Sequence, residues 1–150
     1  MRARAAVVLG VLALAGCGSQ ASKPVPTACF GAPAPIVAAL RHAPGPVTLA
    51  GGTRLSDCVA LARSDSDLQG LGLSLTPVAD QLRARAPSDP AAALQLGYLA
   101  GAVHRGAAAT SGLSAQLASR IEQEAVPDPG AGAAARAALA RGGRLGRAGG

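Results

Sequence analysis

The stretch Asp89-Pro90-Ala91-Ala92-Ala93-Leu94-Gln95-Leu96-Gly97-Tyr98-Leu99-Ala100-Gly101-Ala102-Val103-His104-Arg105-Gly106 decides how this 150-residue chain folds. Asp89 is a helix N-cap, and Pro90 sits at the first helical position, where its missing N–H would have had no partner in any case. From Ala91 to about Gly106 the residues are apolar on most faces, so the helix they form is expected to be the buried central member of a bundle. Gly97 and Gly101 make a G-x-x-x-G pair, extended backwards by Ala93. In a membrane that spacing lets two helices approach closely. Here Asp89 and Arg105 bound an apolar run shorter than the roughly 20 residues of a span, and Gln95 interrupts it. The pair therefore reads as tight packing inside a soluble bundle.

Working outward, Ile36, Val37 and Leu40 fall at helical spacing in Pro33 to Arg41, and Pro44-Gly45-Pro46 ends that first helix. Val47 to Thr53 is a connector containing Gly51-Gly52. Ser56 can cap a second helix with Asp57 in its first turn, and Cys58, Leu61, Leu68, Leu71 and Leu75 follow near one face. Gly70-Leu71-Gly72-Leu73-Ser74-Leu75 alternates with period two and is open between helix, turn and strand. Thr76-Pro77 is a helix start, with Val78, Leu82 and Ala86 as the stripe and Pro87 as the stop. Thr110 or Ser111 opens a last helix carrying Leu113, Leu117 and Ile121, which runs to about Glu124, before Pro127-Asp128-Pro129-Gly130. The fold class is thus all-α, a small bundle of four to five helices over residues 29–126. With alanine dominating the interfaces, the helices should lie close and the core should be thin. Residues 127–150 form an Ala/Gly/Arg-rich tail. Ala133 to Arg141 can be transiently helical, but with nothing large to bury the tail is expected to be mostly disordered.

Composition removes several function classes. Hydrophobic residues make up 49% of the chain and aromatics only 1%, with Phe30 and Tyr98 alone and no Trp. Such a chain cannot build the stacking platforms of single-strand nucleic-acid binders or the aromatic cages of quaternary-ammonium sites. The 14 basic residues, of which only Lys23 is a lysine, outnumber 8 acidic ones and give +6. Arg2 and Arg4 sit at the extreme N-terminus, while Arg136, Arg141, Arg144 and Arg147 sit in residues 131–150, which contain no acid. The body between is formally neutral, so the basic balance does not point to nucleic acid.

Arg2 and Arg4 form a positive n-region, Ala5 to Ala15 an apolar h-region, and small residues follow, which is the layout of a secretory signal peptide. The segment ends Leu14-Ala15-Gly16-Cys17, and this resembles the lipobox of bacterial lipoproteins. The resemblance implies removal of residues 1–16, diacylglycerol on Cys17, often an N-acyl chain, and an extracytoplasmic protein anchored to the cell membrane. Two or more acyl chains make a stable anchor where one does not. Ala3 separates Arg2 from Arg4, so no twin-arginine pair is present. The whole chain is similar to small lipoproteins of high-GC Gram-positive (actinobacterial) bacteria. Residues 17–28 hold the lipidated cysteine and a polar, proline-bearing flexible tether. Once Cys17 is set aside, Cys29 and Cys58 remain as an even pair in an exported chain, and a disulfide is the natural reading.

Few of the chain's polar residues stand in a pattern that carries chemistry. Asp65-Ser66-Asp67-Leu68-Gln69-Gly70 resembles the opening of an EF-hand loop for six residues, but Thr76 stands where the bidentate glutamate belongs, and a polar helix face explains the run equally. His42 and His104 each lie near a helix C-terminus, where cations complement the dipole. Neither histidine has a second ligand at metal spacing. Glu122 and Glu124, two apart on a helix, diverge. The cysteines lack C-x-x-C spacing, the serines lack a G-x-S-x-G elbow, and the glycine-rich stretches carry no Walker lysine. No catalytic residue, metal ligand or cofactor is expected. The tail arginines Arg136, Arg141, Arg144 and Arg147 suit contact with an anionic surface, whether lipid or cell-wall polymer. The leading expectation is a lipid-anchored envelope protein whose helical domain contacts an envelope protein or cell-wall polymer. The alternative is a carrier that holds a small apolar ligand or acyl chain between its helices.

Overall fold

A computed structural model describes residues 23–110 and 112–150. The signal segment 1–16 and Cys17 lie outside the described residues. Among those described there are six α-helices and two short 3-10 turns, and no strand. The helices are α1 (Pro33–Leu40), α2 (Leu55–Ala60), α3 (Asp65–Arg85), α4 (Pro90–Ala108), α5 (Ala115–Glu124) and α6 (Ala133–Gly149). The fold class is all-α, as expected. The domain begins before Cys29, however: Val25 and Ala28 pack onto the core and Thr27–Cys29 is a 3-10 turn. The C-terminal part of the expected tether 17–28 is therefore folded, because its two apolar side chains find core to cover.

α4 is the hub and packs against α1, α2, α3, α5 and α6. Asp89 caps it by accepting from the Ala91 N–H at 2.9 Å, with Pro90 at the first position. Its Leu96, Leu99 and Val103 meet Leu71, Leu75, Val78 and Leu82 of α3, Leu55 and Val59 of α2, and Ile121 of α5 in one continuous buried core. Each fully buried Leu or Val contributes about 1.5–3 kcal/mol relative to exposure. The Cys29–Cys58 disulfide, with Cα atoms 5.6 Å apart, lies in the same core and ties the N-terminal segment to α2. Ser74 adds a second tie, from the N-terminal segment to α3, accepting from the Gly31 N–H at 3.0 Å and donating to the Gly70 carbonyl at 3.1 Å.

Helix boundaries in the second quarter differ from expectation. α2 stops at Ala60, and a new helix starts at Ser64, where a capping box forms. The Ser64 hydroxyl accepts from the Asp67 N–H at 3.1 Å, and the Asp67 carboxylate accepts from the Ser64 N–H at 3.1 Å. α3 then runs unbroken through Gly70–Leu75 and through Pro77. Thr76 does not act as a cap; its hydroxyl is buried without a partner. A proline at 77 removes one hydrogen bond, to the carbonyl of Leu73, and Leu73 is on the exposed side of the helix, where solvent can serve that carbonyl.

The largest departure is the C-terminus. Residues 127–150, expected to be disordered, carry α6, a 17-residue helix lying parallel to α4. A Cβ built at Gly97 would stand 2.9 Å from the Gly143 nitrogen, and one at Gly101 2.9 Å from the Arg147 nitrogen. In the reverse direction, a Cβ at Gly142 would stand 2.8 Å from the Tyr98 nitrogen and one at Gly146 2.8 Å from the Ala102 nitrogen. These separations leave no room for any side chain, so the two helices meet backbone to backbone. α6 needs nothing large to bury, because Ala135, Leu139, Gly142 and Gly146 present a smooth strip that fits the strip on α4. Arg105 secures the end by donating to the carbonyls of Arg147, at 3.1 Å, and Ala148, and the Ser56 hydroxyl donates to the Gly150 carbonyl.

Candidate functional site

Once core and caps are accounted for, the apolar side chains left over mark the surface available for contact. Leu73 on α3 is 73% exposed and Leu113, just ahead of α5, is 41% exposed. They flank a groove of about 660 Å³ between α3 and α5, whose floor includes Leu68, Gly72, Pro77 and Leu117. The groove exists because Gly72 puts no side chain into it; a Cβ there would meet open space. Gln116, Arg120 and Gln123 form its polar rim. The signal was present in the sequence: Leu73 falls between Leu71 and Leu75, off the buried stripe, so a continuous helix must turn it outward.

A second cleft, of about 420 Å³, opens between the end of α3, the first half of α4 and α6. Ala93, Leu96, Ala135 and Leu139 form its floor. Its rim is charged: Arg83 pairs with Glu124 at 2.9 Å, with Asp80, Asp128 and Arg136 nearby. No part of it was legible without α6.

The titratable groups singled out in the sequence hold the helices in place. Asp67 sits in the first turn of α3, and its carboxyl is held below the ordinary range, chiefly by the Arg63 N–H at 3.0 Å and then by the Ser64 hydrogen bonds. Asp65 lies in the same helical turn, so the six-residue EF-hand likeness is a capping segment. His104 Nδ1 lies 2.5 Å from Glu122 Oε1, linking α4 to α5. With Glu124 bound to Arg83, the two glutamates serve different partners. His42 borders a separate hollow beside α1. Burial raises the Tyr98 hydroxyl above its ordinary value, opposed by a hydrogen bond with the Val47 backbone and by Arg105 and Arg54. Among the described residues no three His, Cys, Asp or Glu side chains converge to hold a metal. Compared with family models, curated proteins and solved structures, the chain shows no significant match.

Arg136, Arg141, Arg144 and Arg147 are all exposed on α6. At 100° per residue they spread over roughly 140° of the helix, roughly opposite the strip buried on α4. None of the four is in an ion pair among the described residues. Arg136 donates to the Ala131 carbonyl through one nitrogen and keeps its other donors free. No helix among the described residues is long and apolar enough to cross a membrane.

Proposed function

We propose that the chain is a lipid-anchored protein of the bacterial cell envelope, whose disulfide-bridged helical domain works by holding a partner protein. The reading is carried by Leu14-Ala15-Gly16-Cys17, preceded by a charged start and an apolar run of signal-peptide length. A disulfide between the two remaining cysteines agrees with an oxidising compartment. Support for the contact role comes from the α3–α5 groove, which offers exposed leucines inside a polar rim, the surface chemistry that receives an apolar helix face. Membrane fractionation of wild type and Cys17→Ser tests the anchor: wild type should sediment with membrane and the variant should not. Equal sedimentation of both overturns the anchor. A photocrosslinking residue at position 73 tests the groove, and it should capture one defined species that a site at exposed Arg85 does not.

The second cleft supports a rival reading. Its volume lies in the range of small-ligand sites, and Leu96 and Leu139 on its floor would suit an acyl chain, with Arg83 or Arg136 for a carboxylate. Native mass spectrometry of the protein from its own host separates the two. A co-purifying lipid-sized mass favours the carrier, and a clean apo mass favours the contact domain.

A further inference from the structure

We propose that the exposed face of α6 is a docking surface for anionic lipid headgroups, laying the domain against the membrane to which Cys17 tethers it; the inference rests on the lipid-anchor reading above. In a disordered tail the four arginines would sample all directions. As part of a helix locked onto α4 all four are held exposed on one side, Arg141 and Arg144 outermost and Arg136 and Arg147 along the edge of a hollow that Glu122 also borders. α4 and α6 between them carry Arg105, Arg136, Arg141, Arg144 and Arg147 and no acidic residue. Four carboxylates approach this pair from neighbouring segments: Glu122 is bonded to His104, Glu124 to Arg83, and Asp128 accepts from the Gly130 N–H at 2.7 Å, while Asp80 borders the cleft on the α3 side, away from Arg141 and Arg144. The other exposed positions of α6 are small, Ala137, Ala140 and Ala148 among them, so the guanidinium groups stand above a low floor and can reach phosphates in pairs.

The strength of such a surface argues for lipid over a diffusing polymer. A basic residue beside an anionic bilayer strengthens adsorption roughly fivefold, so four arginines alone give binding of only about millimolar strength. A short flexible tether supplies an effective concentration of that same order. A membrane already holding the anchor is therefore the anionic surface that this face can use.

The test uses the mature lipidated protein in vesicles, with arginine modification by p-hydroxyphenylglyoxal read residue by residue by mass spectrometry. In vesicles containing about 30% phosphatidylglycerol, Arg136, Arg141, Arg144 and Arg147 should react at least about fivefold more slowly than in pure phosphatidylcholine, as expected from their individual contributions. Arg85 and Arg120, on α3 and α5, should not change. High salt should release the protection, because exposed charges are screened within about 3 Å at 1 M. Equal rates in both vesicle types overturn the proposal. Protection by soluble poly(glycerol phosphate) but not by phosphatidylglycerol overturns the lipid assignment in favour of a wall polymer. The intact mass of the same sample reports the anchor separately. An unmodified Cys17 would sink the anchor reading, while protection by excess phosphatidylglycerol vesicles would still decide for or against the arginine face.

Discussion

α4 is gripped on two sides by two different kinds of contact. Toward α2, α3 and α5 it presents Leu96, Leu99 and Val103 to other large aliphatic side chains. Toward α6 it presents Gly97 and Gly101, and what meets them is peptide backbone. The first interface is stabilised by apolar area removed from water and can adjust, since side chains change rotamer and repack. The second gains from dispersion between closely apposed backbones and from weak Cα–H···O contacts, and a backbone has no rotamers to offer. One interface tolerates change of shape, and the other tolerates no added atom.

Leu99→Ala should break the first interface, with a loss of about 2–5 kcal/mol in denaturant unfolding, all helices melting in one transition. Removing the bridge with Cys29→Ala and Cys58→Ala should lower stability by about 3–4 kcal/mol on the chain-entropy account, since the closed loop spans a sequence separation of 29. A loss much smaller than Leu99→Ala causes would mean that the aliphatic packing alone positions the N-terminal segment. Gly101→Ala attacks the second interface and should cost about 1–3 kcal/mol by overpacking. Hydrogen exchange should show that loss in α6 while α3 and α5 keep their protection. Uniform loss across all helices would show that the two interfaces are one cooperative unit. The smallest effect is acid sensitivity at the start of α3. The Asp67 pKa is lowered on folding, so its contribution is present above the ordinary carboxylate value of 3.8 and disappears as pH falls through the folded value. Asp67→Asn should flatten the acid side of the stability profile, while Ser64→Ala should cost about 1 kcal/mol at neutral pH as a lost cap.

The same contrast explains what could be read from the chain. The aliphatic interface was legible because Leu and Val at 3.6 spacing announce a buried face, and Asp89-Pro90 announces where α4 begins. The G-x-x-x-G pair announced a close neighbour but not its identity. That neighbour is Ala135, Leu139, Gly142 and Gly146, which lack the bulk by which burial is usually recognised. Pro77 misled in the opposite sense: its ring reads as a helix start, and only the solvent-facing place of Leu73 shows why α3 can absorb it. Ser56 and Ser64 are equally good caps by residue type, but Ser56 lies inside α2, whose first flanking residue is Arg54, and spends its hydroxyl on the Gly150 carbonyl instead. Asp67, three positions after Ser64, completes a capping box there. Of the candidate site, the exposed Leu73 follows from a continuous α3, whereas the α3–α4–α6 cleft had no sequence signature without α6.

The disulfide also sets the route by which the domain bears mechanical load. Tension arriving along the N-terminal segment reaches Cys29 first and crosses the sulfur bridge to Cys58 in α2, next to the hub helix. α1 and the connector that follows it lie inside the bridged loop, off the line of force. A pull on the N-terminal segment therefore cannot peel α1 away residue by residue. It must move α2 against the core as a block, so a domain with few large side chains resists being unravelled from its N-terminal side.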